Sequence, residues 1–174
     1  MSDAPEILEG DPAAVAVENA CRKRDAVTPE VDAGAFVIAA DTIVVIDGTI
    51  LGKPADLDEA RRMIRSLTDR THEVMTGVAV TDKASGRTVE GVETTRVTFR
   101  NLTDEEIDQF VTAVKPLDRA GAYTVDGPGS LLVARYDGCY TIVLGLPLVR
   151  LDDLLRKLGD GLFHRIDPAR ARFL

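Results

Sequence analysis

Residues 36–46 have the sequence FVIAADTIVVI, and this stretch gives the strongest indication of how the chain folds. It is apolar on both of the faces that alternate along an extended strand, and the turn-forming pair Asp47-Gly48 follows it. Such strands lie in the middle of a sheet whose two faces are both covered. The stretch therefore predicts a central strand of a layered α/β domain, ending in a tight turn.

Helices are predicted on both sides of this strand in the sequence. Upstream, an aspartate cap followed by proline, with apolar residues at helical spacing, predicts a helix over about 12–27. Downstream, capping-box patterns formed by Asp56 with Glu59 and by Thr103 with Glu106 predict two further helices, the first of them after Pro54. A row of leucines predicts a last helix over 148–158. These helices have the apolar faces needed to cover a sheet.

Further strands are predicted from runs of β-branched residues. The segments 73–81 and 88–100 flank a turn and form a hairpin, and two more strands are expected near 130–135 and 140–144. The resulting order of helices and strands is neither all-parallel nor a repeat. It predicts a three-layer α/β fold, a mixed sheet with flanking helices, in a single domain over residues 1–174.

The composition limits the kinds of partner. The net charge is -8, from 29 acidic and 21 basic residues, and an acidic surface repels nucleic-acid polymers and anionic membranes. The sequence as given has no secretion signal and no apolar run long enough to span a bilayer, and its two cysteines match no disulfide framework. A cytoplasmic protein is expected, in which any anionic ligand is met by a few local cations.

Asp41 is the most informative single residue. A carboxylate in the middle of an apolar strand costs several kcal/mol unless it is paired or binds a metal. It is either a structural aspartate held by backbone donors or a general base or metal ligand at the edge of a sheet, where ligands of α/β proteins bind.

Two lysines and two histidines carry weaker signals. Lys53 lies in the rigid Leu-Gly-Lys-Pro turn and would serve as a compact charge for a phosphate, although a solvated turn lysine is the plainer alternative. Lys23, on the first predicted helix, has the same two interpretations. His72 and His164 lack metal-site spacing, and His72 is expected in a turn.

The loop PLDRAGAYTVDG, residues 116–127, is the remaining candidate. It places Asp118, Arg119 and Asp126 among glycines and small residues, which allow a backbone to approach a ligand closely. A plain turn between a helix and a strand is the alternative.

Seven motifs occur in order between about residues 12 and 155: AADTIVV, DGTILGKP, DEARRMIRSL, THEVMTGVAV, TTRVTFR, PLDRAGAYTVDG and GLPLVRL. Together they closely resemble the Maf family of nucleoside triphosphate pyrophosphatases. The resemblance implies a fold related to the inosine triphosphate pyrophosphatases, with a cleft between two lobes. It also implies hydrolysis of a nucleoside triphosphate between its α- and β-phosphates, with a divalent metal, usually Mg²⁺.

The resemblance also implies roles for individual residues. Asp41 matches the family's proton acceptor and metal ligand, and Lys23 and Lys53 match its phosphate-binding lysines. Thr42 falls at a specificity position, and Asp118 matches the aspartate of an Asp-Lys-Ala-Gly motif. Positioning and charge neutralisation are what phosphoryl chemistry mainly requires.

Three departures from the family pattern bear on activity and substrate. Arg119 replaces a lysine, and Asp126 stands where glutamine is common in members acting on dTTP and UTP. The Ser-x-Ser-Pro-Arg-Arg loop that opens most members is not found in the sequence as given, which predicts weak turnover. The expected substrate is dTTP, UTP or a modified nucleotide.

Two other classes of function are compatible with these residues. The chain could be a non-catalytic nucleotide-binding or regulatory protein linked to cell division, or a plain α/β scaffold without a nucleotide site. A homodimer is expected from the family resemblance alone.

Overall fold

The computed structural model describes residues 6–167, and its centre is one antiparallel sheet. The strand order is β2-β1-β3-β4-β5. The apolar stretch forms the whole of β1, as predicted. The strands are β1 (Phe36–Ile46), β2 (Thr49–Leu51), β3 (Thr71–Asp82), β4 (Arg87–Phe99) and β5 (Val133–Asp137).

Helices cover both faces of the sheet, which confirms the α/β class and the three layers. The helices are α1 (Pro12–Val27), α2 (Leu57–Leu67), α3 (Asp104–Val114), α4 (Tyr140–Val143) and α5 (Leu148–Lys157). One face holds α1, where Ala16 packs on Ile43 and Val45. The other face carries α2 and α3 at one end and α5 at the other, where its leucines pack on Val78 and Val80.

The strand directions differ from the mixed sheet that was expected, because every pair of strands in the described residues is antiparallel. The turn at Asp47 and Gly48, both with positive φ, reverses the chain into β2. Helix α2 then returns the chain so that β3 runs in the same direction as β2, but on the far side of β1. The helical crossover therefore joins two strands that do not pair with each other.

Two predicted strands near the end of the chain need correction. The segment expected as a strand at 130–135 begins as a 3-10 turn, Gly127–Leu132, and β5 starts only at Val133. The strand expected at 140–144 is wrong, since these residues form α4 and the turn after it. Thr95 of β4 holds the start of α4, because its hydroxyl bonds both the amide and the carbonyl of Cys139. Tertiary contacts thus override the β-branched composition.

The expectation that His72 lies in a turn is also wrong. His72 is on β3 with only 2% of its surface exposed, and its Nε2 lies 2.6 Å from the Tyr123 hydroxyl. Its ring meets Phe99 edge to face at 4.9 Å. Burial lowers the pKa of His72 to about 4, because the low-dielectric core disfavours the imidazolium.

This buried histidine predicts a loss of stability on acidification. Between its ordinary pKa of 6.5 and about 4, the unfolded chain takes up a proton at His72 that the folded chain does not. The free energy of unfolding therefore falls as the pH drops through this window, by up to about 3 kcal/mol from this group. Urea unfolding at pH 7, 6, 5 and 4 measures the slope. The variant His72→Gln lacks the titrating imidazole, so its free energy of unfolding should change less steeply with pH. Equal slopes in the two proteins would contradict the attribution of the acid sensitivity to His72.

Candidate active site

A cleft of about 210 Å³ opens along one edge of β1. Strand β2 pairs with β1 only over Val44–Ile46, so Asp41 and Thr42 lie beyond that pairing. All of the site residues predicted from sequence line this cleft except Asp126; they are Lys23, Asp41, Thr42, Lys53, Asp118 and Arg119. Neighbouring residues of a strand point to opposite faces, so Asp41 faces α1 whereas Thr42 faces α4 and α5.

Asp41 is held by two side chains of α1. Its side chain is only 4% exposed, and its Oδ1 accepts a hydrogen bond from Lys23 Nζ. Its Oδ2 accepts from Asn19 Nδ2 at 3.1 Å. One cation and one amide therefore compensate the buried carboxylate, and neither is a backbone donor, as a purely structural aspartate at a strand end would use.

Asn19 is a residue that the sequence interpretation missed. It is 2% exposed, its Nδ2 also donates to the carbonyl of Ile7 at 3.0 Å, and its Oδ1 accepts from the Ile7 amide at 2.8 Å. The amide thus ties the segment before α1 to Asp41. A signal was present, since Asn19 and Lys23 lie four residues apart on the helix face that also carries Ala16 and Ala20.

Glu6 is the second missed residue, and it brings the two predicted phosphate lysines together. Its Oε1 accepts from Lys23 Nζ and from Lys53 Nζ, both at 3.0 Å. Burial alone would raise the pKa of Glu6, but Lys53 and Lys23 outweigh it and lower that pKa. Burial alone would lower the pKa of Lys23, but Asp41 and Glu6 raise it. Glu6 and Lys23 are therefore both charged at neutral pH, and the cluster brings the carboxyl groups of Glu6 and Asp41 together with the side chains of Lys23 and Lys53.

The other side of the cleft is uncharged. Thr42 provides a hydroxyl there, which lies 2.8 Å from that of Thr76 on β3. The wall around it is formed mainly by apolar side chains and backbone, from Val44, Val74, Tyr123, Val143, Leu144 and Gly145. The edge of β1 thus separates a charged half of the cleft from an apolar half.

The loop after α3 forms the mouth of the cleft. Gly121, with φ 66°, packs on Val44, and its amide donates to Gly52 at 3.0 Å, beside the Lys53 turn. Asp118 and Arg119 line the cleft as an exposed ion pair 3.6 Å apart. They lie where a ligand would meet solvent.

Asp126 lies outside the residues that line the cleft. Its carboxylate is exposed and accepts from the hydroxyl of Thr124, a bond that lowers the pKa of Asp126. Thr124 itself does line the cleft. A role for Asp126 in base preference stays a prediction.

The sequence model of the family described as "Maf-like protein" matches residues 2–158. This chain belongs to the Maf family. Three similar proteins are named dTTP/UTP pyrophosphatase. The one from Pelotomaculum thermopropionicum is 49% identical over 125 residues, 72% of this chain and 65% of the relative. The one from Carboxydothermus hydrogenoformans is 42% identical over 154 residues, 88% of this chain and 82% of the relative. The one from Acetivibrio thermocellus is 47% identical over 131 residues, 75% of this chain and 65% of the relative.

The match to some of these Maf-family relatives is partial, since it spans just under two thirds of the first one's length. The region matched by the family model nevertheless contains all of the cleft residues named above. Within residues 6–167 of this Maf-family chain, no helix is long and apolar enough to cross a bilayer.

Proposed function

We propose that this protein hydrolyses a nucleoside triphosphate to the monophosphate and pyrophosphate, with dTTP or UTP as the preferred substrate. The observation that carries the proposal is the cleft in which buried Asp41 lies beside Lys23 and Lys53, next to an apolar wall. A triphosphate needs cations and a positioned carboxylate, whereas a base needs an apolar slot with a few polar groups. The names of the similar proteins support the same activity.

The charged residues of the cleft have different roles in the proposed reaction. Asp41 accepts a proton from a water molecule whose oxygen bonds to the α-phosphorus, while the bond from that phosphorus to the pyrophosphate oxygen breaks. Lys23 and Lys53 exchange their contacts with Glu6 for phosphate oxygens and stabilise the charge on the leaving pyrophosphate. Arg119, at the mouth, is the further cation available to the phosphates.

A divalent cation, Mg²⁺, is the proposed cofactor. Magnesium binds through one or two carboxylates together with phosphate oxygens and water. Asp41 and Glu6 fit that requirement, because their carboxylates meet at the same lysine. Among residues 6–167 no group of three or more acidic, histidine or cysteine side chains forms a dedicated cage, and this chemistry does not need one. When bound, the ion would neutralise charge on the triphosphate.

Pyrophosphate release from a panel of nucleoside triphosphates tests the proposal. With Mg²⁺ present we expect release from dTTP or UTP above the other standard nucleotides, and loss of release when the metal is chelated. Equal inactivity on every nucleotide, with binding retained, would favour instead a regulatory nucleotide-binding protein. A cytoplasmic location, where such triphosphates are made, and a homodimer stay predictions.

A further inference from the structure

A pair of threonines at the apolar half of the cleft has a fixed hydrogen-bond direction. Thr76 is fully buried, and its hydroxyl lies 2.9 Å from the carbonyl oxygen of Ile142 on α4. A carbonyl can only accept a hydrogen bond, so the single hydroxyl proton of Thr76 is committed to Ile142.

The direction of the next bond follows from the first. Thr42 and Thr76 are directly opposite each other on β1 and β3, and their hydroxyl oxygens are 2.8 Å apart. Because the proton of Thr76 is already used, the proton of Thr42 must point at Thr76. Thr42 therefore presents only lone pairs to the cleft, and it can accept a hydrogen bond from a ligand but cannot donate one.

The surroundings of Thr42 determine how strongly its accept-only hydroxyl discriminates between ligands. The wall beside Thr42 is mainly apolar, and a Cβ added at Gly145 would lie 3.4 Å from its hydroxyl oxygen, so a base placed against this wall has few other polar groups to pair with. In such a site a wrong donor–acceptor pairing leaves buried polar groups unpaired, which is the stronger form of discrimination available to an enzyme.

We propose that Thr76 is a specificity-determining positioning residue, which orients Thr42 to accept from a ring N–H of the substrate base. Uracil and thymine carry N3–H, whereas cytosine has an unprotonated N3 at the same position. The threonine pair thus favours UTP and dTTP over CTP. This inference rests on the proposed function, since it assumes that the base enters the apolar half of the cleft.

The test compares kcat/KM for UTP and for CTP in the wild type and three variants. Thr76→Val keeps the shape but removes the acceptor for the proton of Thr42, which then becomes free to turn toward the ligand. We expect the ratio of UTP to CTP to fall about tenfold. Thr76→Ser keeps the hydroxyl and should keep the ratio.

Thr95→Val is the matched control. Thr95 is a fully buried threonine on β4 whose hydroxyl also bonds main chain next to α4, at Cys139, without a hydrogen bond to Thr42. The variant Thr95→Val should lose about as much stability as Thr76→Val and leave the ratio of kcat/KM for UTP to that for CTP unchanged. Calorimetric titration with the α,β-methylene analogues of UTP and CTP gives the same ratio as a binding constant, independently of turnover.

The possible outcomes separate the two ideas. Failure of the wild type to hydrolyse any nucleotide while it binds the UTP analogue more tightly would overturn the proposed function and leave the threonine inference supported. An unchanged ratio in folded Thr76→Val, or an equal change in Thr95→Val, would overturn the inference, as would a wild type that binds the two analogues equally or not at all.

Discussion

Replacing Asp41 with Asn is expected to lower kcat by at least about 10²-fold, the lower range for a positioned acid-base group. The substitution keeps the side-chain volume but removes the proton acceptor and one proposed metal ligand. It also breaks the ion pair with Lys23 and leaves one amide nitrogen facing the donors of Lys23 or Asn19. Pyrophosphate release under saturating nucleotide and Mg²⁺ measures kcat, and a thermal melt shows whether the fold survives.

Asp47→Asn is the matched control for this variant. Asp47 follows the same strand, but it lies in the exposed turn with φ 50°, a conformation that asparagine tolerates well. The control should keep wild-type turnover. If Asp41→Asn kept it too, Asp41 would not be the catalyst, and an unfolded Asp41→Asn would indicate a structural carboxylate instead.

The sequence predicted those elements whose signals are local. Helices α1, α2 and α3 begin at the predicted cap residues, where the side chains of Asp11, Asp56 and Thr103 accept backbone amides. The strand β1 has the predicted bounds, because a run that is apolar on both faces is stable only inside a covered sheet. Strand direction was less accessible, since it depends on where α2 returns the chain rather than on composition.

The site was predictable where a residue conflicted with its local pattern. Asp41 stood out because a carboxylate interrupts an apolar strand, and Lys53 because it lies in a rigid turn. Glu6, Asn19 and Thr76 gave no comparable conflict. Their importance comes from partners that are distant in the sequence. Asn19 bonds Asp41, 22 residues away, and Glu6 is connected through Lys23 to the same carboxylate, 35 residues away. The hydroxyl of Thr76 bonds the carbonyl of Ile142, 66 residues away. Such distant pairings become visible only when α1 and α4 are packed on the sheet.

Gly77 provides the second large expected effect, because it determines how closely α1 approaches the sheet. It is directly opposite Asp41 in the β1–β3 pairing, on the face that α1 covers. A Cβ added at this position would lie 2.2 Å from the carbonyl oxygen of Ala16 and 2.6 Å from the amide nitrogen of Val17. Both are backbone atoms, so no side chain can turn aside, and the helix itself must move.

We expect Gly77→Ala to lower the free energy of unfolding by about 3 kcal/mol, the upper range for overpacking in a core. For a chain of this size that corresponds to a fall in Tm of roughly 6–12 °C. Turnover should fall as well, even below the melting range, because the displaced helix carries the Asn19 and Lys23 groups that hold Asp41. Urea unfolding and pyrophosphate release on the same preparation measure both effects.

Gly91→Ala separates this effect from a general intolerance of alanine in the sheet. Gly91 lies on the neighbouring strand β4, where an added Cβ would lie 3.2 Å from Cδ of Arg150, a flexible side chain that can move away. This control should lose about 1 kcal/mol or less and keep its turnover, because α1 does not have to move. Equal losses in the two variants would mean that any added methyl weakens the sheet. A stable but inactive Gly77→Ala would instead show that the helix can shift at little cost, and that its close approach serves the site at Asp41 more than the fold.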